Sequence, residues 1–225
     1  MTSDASSRFE VAEREGRVLS EALMWRHHPL IQQAEAIVAE GAIGAVREIR
    51  SAFCFVAASP ADVRLSFELE GGSLMGIGCY CVNAARLFAG EPDEVGGEWR
   101  AAPSGVDMRS RSWMTFPSGA SARFESALDE PDRAELEVEG ETATLSIADP
   151  WHGHSTSLEL IRDGEVERLA RLTADPYSME VKNVSRAIRS GDPPLLGRQD
   201  AVAQARAIEA LSTAAATGRA VGLAG

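Results

Sequence analysis

The stretch GGSLMGIGCYCVNAARLFAG (Gly71–Gly90) decides how the chain is to be read. A loop that cradles a dinucleotide needs G-x-G-x-x-G between a buried strand and a helix. Two of those glycines let the backbone approach the pyrophosphate, and the third lets the helix press on the strand. Gly71, Gly72, Gly76 and Gly78 do not have that spacing, and Ser66–Glu70 (SFELE) before them is not a buried strand. A P-loop needs a lysine, and the only one in the chain, Lys182, lies far downstream. The spacing therefore predicts a helix entered through a glycine pair, with Ser73 near its N-cap and Leu74, Ile77, Val82 and Leu87 packing inward.

Upstream, residues 4–15 read as a helix capped by Asp4, Arg17–Met24 (RVLSEALM) as a short strand, and Leu30–Glu40 as a helix stopped at Gly41. Val46–Ala57 is rich in β-branched and aromatic residues and reads as a long strand. Downstream of Gly90 come strands at Val95–Ala101, Met108–Phe116, Ala120–Ala127, Ala134–Glu139, Thr142–Ile147, Leu158–Arg162 and Glu165–Leu169. AELEVE (Ala134–Glu139) alternates strictly, with Ala134, Leu136 and Val138 on one face and glutamates on the other. Asp163-Gly164 is a two-residue hairpin signal. Two helices close the chain. The first is announced by Asp175-Pro176 and carries a stripe of Tyr177, Val181, Val184 and Ile188. The second, Asp200–Thr217, aligns Val202, Ala205, Ile208 and Leu211. Runs of strands with segregated helices specify α+β: a large, mainly antiparallel open sheet with helices on one face. The bare face is expected to be apolar and to be covered by a second copy of the chain.

The composition narrows the partners. With 34 acidic against 22 basic residues the net charge is −12, so a nucleic acid or an anionic membrane surface is excluded as a partner. No apolar run approaches the roughly 18 residues of a membrane span, and the polar N-terminus is unlike a signal peptide. Three cysteines, Cys54, Cys79 and Cys81, form no disulfide framework, which is the pattern of a reducing cytoplasm. Cys79, Cys81, His152 and His154 lack the spacing of a zinc site, so no metal is expected. His27 and His28 follow Trp25-Arg26 at the exit of the expected strand, a place where ligand pockets form. Asn83 lies three residues past Tyr80 on one helix. Arg64 and Arg86 are read as ion-pairing residues, with Asp62 or Glu68 as partners.

MWRHHP (Met24–Pro29), the glycine stretch, DPWH (Asp149–His152), DPYSMEVKNVSRAI (Asp175–Ile188) and PPLLGRQDAVAQARAIEAL (Pro193–Leu211) occur in one order. Together they closely resemble the glucose–fructose oxidoreductase / inositol dehydrogenase / MocA family, in the branch of dimeric dihydrodiol dehydrogenase and xylose dehydrogenase. The resemblance implies an NAD(P)-binding Rossmann domain followed by a C-terminal domain that binds a sugar, polyol or diol and forms a homodimer through its open sheet. This chain resembles the second domain. Residues 1–24 correspond to the end of the Rossmann domain, a helix and a strand, and residues 25–225 to the substrate-binding and dimerisation domain. A separate Rossmann domain is then an implied partner, with NAD(P) as cofactor but no binding site for it here. The family's catalytic lysine would lie just before Met1, and Lys182 is not its counterpart. The family's tyrosine or histidine acid/base matches Tyr80. Gly76 stands where the family has an aspartate. Arg26, His27, His28, Asn83 and Trp151 are the implied substrate-binding residues. The domain is expected not to be redox-competent alone, and a stand-alone, non-catalytic ligand-binding or dimerisation module is the alternative.

Overall fold

Alternation with a period of two dominates the middle of the chain and builds one nine-stranded sheet. The structure, a computed structural model, describes residues 2–153 and 156–223. The strands are β1 (Val46–Val56), β2 (Glu94–Ala101), β3 (Asp107–Thr115), β4 (Ser121–Ala127), β5 (Asp129–Gly140), β6 (Thr144–Ala148), β7 (Thr156–Arg162), β8 (Glu165–Leu172) and β9 (Val221–Gly222). Their order is β8-β7-β6-β5-β1-β4-β3-β2-β9. Among the described residues only β1 and β4 pair in parallel, and the other pairs are antiparallel. Asp163 and Gly164 both take positive φ, as the expected tight hairpin between β7 and β8 requires.

The helices are α1 (Thr2–Arg14), α2 (Pro29–Ala39), α3 (Cys79–Ala89), α4 (Pro176–Ser190) and α5 (Arg198–Thr217). The core lies between α2, α3 and α5 and the inner face of the sheet. There Ile49, Phe53, Met114, Phe124, Leu136, Val138, Leu145 and Leu158 are buried against Ile31, Ile77, Val82, Ile208 and Leu211. Asp175 caps α4 by accepting from the backbone N–H groups of Tyr177 and Ser178, with Pro176 in the first turn, as the sequence requires.

Two expectations, a strand at Arg17–Met24 and an apolar outer sheet face, need correcting, and the α4 stripe has a surface position. Arg17–Met24 forms no strand. Residues 17–23 run extended, Met24–His27 form a 3₁₀ turn, and the extended part is held at Leu196, whose carbonyl accepts from the Glu21 N–H at 3.0 Å and the Ser20 hydroxyl at 2.9 Å. A strand needs a partner edge, and among the described residues none pairs with this segment; Val18 and Leu19 stay exposed. The stripe on α4 is not core: Tyr177, Val181 and Ile188 are 61, 63 and 64% exposed.

The outer sheet face is not apolar either. It is a lattice of opposite charges, with Arg50 on Glu48, Glu137 and Glu139, Arg111 and Arg133 on Glu125, and Arg109 on Asp129 and Glu130. The register explains this. Cross-strand neighbours share a face, so Arg50, Arg123 and Trp113 line up across β1, β4 and β3, as do Arg111 and Glu125. Trp113 lies flat over Gly96 in this lattice, and both line a groove of about 1070 Å³.

Candidate functional site

The glycine stretch folds as a wide π turn, Leu74–Gly78, running directly into α3. π turns widen the helix and expose the residues that follow, which is why they gather at functional sites. The turn is capped from a distance. The Asp107 carboxylate accepts from the Leu74 N–H and the Ser73 hydroxyl, both at 2.7 Å. The glycines are close-packing sites. A Cβ on Gly71 would sit 2.4 Å from the carbonyl oxygen of Arg64, one on Gly72 2.0 Å from Asp107, and one on Gly78 2.9 Å from the Ser126 hydroxyl. The helix N-terminus, where a phosphate would bind, is therefore filled by a carboxylate and the cradle by protein. The residues present do not fit a dinucleotide.

Tyr80 stands in the first turn of α3, its hydroxyl 3.7 Å from the Met24 sulfur. Phe53 meets its ring edge-on at 5.4 Å and Trp151 at 6.0 Å. Trp151 is fixed by an indole N–H bond of 2.8 Å to the Ala52 carbonyl and by a 5.2 Å edge contact with Trp25. His152, bonded to Asp149 at 2.7 Å, lies edge-on to the same Phe53 at 5.2 Å. Phe53 and Trp151 are themselves buried, at 6% and 0% exposure, and support Tyr80 from the core. The aromatic surface that reaches solvent here is made by the half-buried Tyr80 and Phe55 and the exposed His152, with the Tyr80 hydroxyl among them. Burial pushes the Tyr80 hydroxyl above its usual range; Cys79, Tyr177 and Glu180 add to this and Arg64 opposes it. Tyr80 is thus a phenol at any physiological pH, able to donate a proton or hydrogen bond. Burial likewise pushes the Cys79 and Cys81 thiols up to about 12, so neither is a thiolate.

The other expected site residues separate into two groups. Trp151 joins Tyr80. Arg26 and Asn83 face each other in an interior network: Arg26 Nη1 donates to Asn83 Oδ1 at 3.3 Å, and Asn83 Nδ2 to Gln204 Oε1 at 3.3 Å. Arg86 Nη1 also donates to Gln204 Oε1, at 2.8 Å, while Gln204 Nε2 donates to the Cys79 carbonyl at 2.7 Å. Arg86 pairs with Glu91 and Asp200, not with Asp62 or Glu68 as expected; Arg64 does pair with Asp62. His27 and His28 are both buried. His28 caps α2, its Nδ1 accepting from the Leu30 N–H at 3.2 Å. Gly76 has the arm of Arg64 where its side chain would be. Among the described residues no group of three or more His, Cys, Asp or Glu is placed to hold a metal ion; His154 lies outside those residues.

Burial lowers the pKa of both His27 and His28 from 6.5, with Arg26 adding to the shift at His27. A group whose pKa is depressed on folding stabilises the fold above its unfolded pKa and loses that contribution as pH falls. Stability is therefore expected to decline below about pH 6.5, by at most about 1.4 kcal/mol per pH unit for each histidine. Glu21 and Glu180, raised by burial, act in the opposite sense as pH approaches 4.5. The His28→Asn variant keeps a capping side chain but cannot titrate. Denaturation midpoints near pH 7.5 and 5.5 should differ less in it than in the parent chain; an equal difference in both refutes the assignment.

Residues 31–146 match the GFO/IDH/MocA C-terminal domain. The chain is 36% identical over 220 residues to the D-xylose 1-dehydrogenase (NADP(+)) 2 of Haloferax volcanii, covering 96% of this chain and 67% of that protein. The chain belongs to the GFO/IDH/MocA family. Among solved structures, the aldose-aldose oxidoreductase of Caulobacter crescentus, complexed with glycerol, superposes with a TM-score of 0.91 at 28% identity, over 99% of this chain and 69% of that one. KijD10, a 3-ketoreductase from Actinomadura kijaniata seen with NADP and TDP-benzene, superposes with a TM-score of 0.87 at 25% identity, over 95% of this chain and 67% of that one. The chain spans about two thirds of the length of these family members. The structure brings Trp151 and Tyr80 into contact, and adds Phe53, an aromatic on the buried strand β1 that the sequence reading does not single out as lying beside them.

Proposed function

We propose that this chain is the substrate-binding domain of an NAD(P)-dependent oxidoreductase acting on sugars, polyols or dihydrodiols. The observation that carries the reading is the half-buried Tyr80, braced by the buried rings of Phe53 and Trp151, on the glycine-led helix of a family domain. NAD(P) supplies the hydride chemistry and is held by a dinucleotide-binding domain rather than by these residues. That domain docks on the exposed apolar strip made of Val18 and Leu19, the α4 residues Tyr177, Val181 and Ile188, and Leu195. The strip is continuous: residues 20 and 21 bond to Leu196, and Leu195 donates to Asn183 of α4. In this arrangement Tyr80, as a phenol, donates the proton to the reacting carbonyl oxygen in the reductive direction, and residues 1–24 complete the partner domain's edge. The three cysteines, all unpaired, are consistent with a cytoplasmic setting.

Calorimetric titration of the chain with D-xylose, glycerol and a dihydrodiol tests the reading. Saturable binding of at least one, weakened in a Tyr80→Phe variant, is expected; no binding by any of them defeats it. The alternative, a non-catalytic ligand-binding or dimerisation module, is favoured by Gly76. It requires that ligand binding persist while a supplied dinucleotide-binding domain restores no turnover.

Homodimerisation through the outer sheet face belongs to the same reading, with the Arg/Glu lattice rather than apolar area as its complementary surface. Sedimentation should show a dimer at low salt that weakens at high salt, where paired charges are screened. A salt-independent monomer rules this out.

A further inference from the structure

The space beside Gly76 is filled by a basic side chain. A Cβ at position 76 would lie 3.1 Å from both Cγ and Cδ of Arg64. The loop carrying Arg64 is clamped to the glycine pair: the Arg64 carbonyl accepts from the Gly72 N–H at 2.7 Å, and the Ser66 carbonyl from the Gly71 N–H at 2.9 Å. Glycine at 76 lets the arginine arm lie along the entry to α3. Its guanidinium carbon is 5.5 Å above the Phe55 ring, and Phe55 meets Phe53, itself the neighbour of Tyr80. The head is thus aimed along the aromatic surface and held flat by the ring.

Its hydrogen bonds are half used. Nη1 donates to both carboxylate oxygens of Asp62, at 3.2 and 3.1 Å. Nε and Nη2 make no hydrogen bond among the described residues. These two N–H groups form one straight edge of the guanidinium, the edge that meets a carboxylate with two parallel bonds. Asp62 fixes the orientation from the other end.

On the reading given under Proposed function, we infer that Arg64 makes this site selective for a sugar acid. The ligand's carboxylate pairs with the Nε/Nη2 edge while its hydroxylated carbon frame lies against the solvent-reaching rings of Tyr80 and Phe55, which Phe53 and Trp151 support from the core. The nearby opposing charges are the Asp62 carboxylate, already paired with the guanidinium, and the carboxylates of Glu180 and Glu21, whose pKa values burial raises from the ordinary range.

The test is calorimetric titration of the chain with D-glucuronate, D-glucose and inorganic phosphate. Glucuronate should bind about tenfold more tightly than glucose, the margin a bidentate charge-assisted pair supplies. Arg64→Met should bring the two affinities together, and Arg64→Lys should keep part of the difference. Gly76→Asp provides an independent variant: it displaces the arginine arm, adds a negative charge, and should also remove the preference. Circular dichroism verifies that each variant is folded. Equal affinity for glucose and glucuronate in the parent chain overturns the inference and leaves the sugar-binding reading standing. No binding of either sugar overturns that reading as well. Phosphate binding as tight as glucuronate, lost in Arg64→Met, also overturns it, because the site is then a bare anion contact.

Discussion

Gly71→Ala is expected to lower the unfolding free energy by about 2–4 kcal/mol, more than most surface substitutions. The added Cβ would lie 2.4 Å from the Arg64 carbonyl oxygen, 2.7 Å from its carbon and 2.8 Å from the Ser66 carbonyl oxygen. All three atoms are backbone, so no rotamer change relieves the overlap and the loop must move away. That movement breaks the Gly72 to Arg64 and Gly71 to Ser66 hydrogen bonds, worth about 0.5–1.5 kcal/mol each. It also draws the Arg64 arm off position 76, so loss of stability and loss of sugar-acid preference should appear together. Gly197→Ser is the matched control. Gly197 precedes α5 with φ of −89° and only one atom within 4 Å, at 3.8 Å; serine there is an N-cap residue and should be neutral or stabilising. Urea denaturation of both variants decides the matter. A Gly71→Ala midpoint equal to that of the parent chain would mean the clamp is not rigid.

The same glycines show how far the sequence could be read. Their spacing was enough to reject a phosphate loop, because that loop makes strict local demands. What they accommodate instead could not be seen, since Arg64, Asp107 and Ser126 arrive through tertiary contact. Strands were legible wherever alternation was strict, as in Ala134–Glu139. Carried across neighbouring strands, that alternation also implied a charged outer face: the glutamates of β5 required basic partners on β1, and Arg50 is one. The apolar expectation came from the architecture and not from the residues. Arg17–Met24 failed for the opposite reason. Its composition suits a strand, but a strand exists only against an edge, and composition does not say whether one is present. The α4 stripe makes the same point: helical spacing reveals an apolar face and leaves open what covers it.

Arg86→Met should destabilise the chain by about 2–3 kcal/mol. The guanidinium is buried and its lost hydrogen bond leaves Gln204 short of a donor, while Glu91 and part of Asp200 reach solvent, which moderates the loss. The Arg86 side chain is only 4% exposed. It holds both oxygens of Glu91, at 2.9 and 2.8 Å, and reaches Asp200 at 3.3 Å and Gln204 at 2.8 Å. Methionine fills a similar volume but supplies no donor. Asp200, a quarter exposed and with its Oδ2 already buried without a partner, loses its guanidinium. Gln204 loses the bond that orients its amide. Through that amide the damage reaches the site, because Gln204 grips the Cys79 carbonyl one residue before Tyr80 and accepts from Asn83. Arg26 and Asn83, read from the sequence as ligand contacts, thereby serve in the structure to fix the helix that presents Tyr80. The double variant Arg86→Met/Asp200→Asn should recover part of the loss, since the unpaired charge is removed with its partner. Strict additivity of the two single losses would show that Arg86 and Asp200 do not interact. Ligand affinity supplies the second readout: a network that positions α3 predicts weaker binding in Arg86→Met even where the variant remains folded.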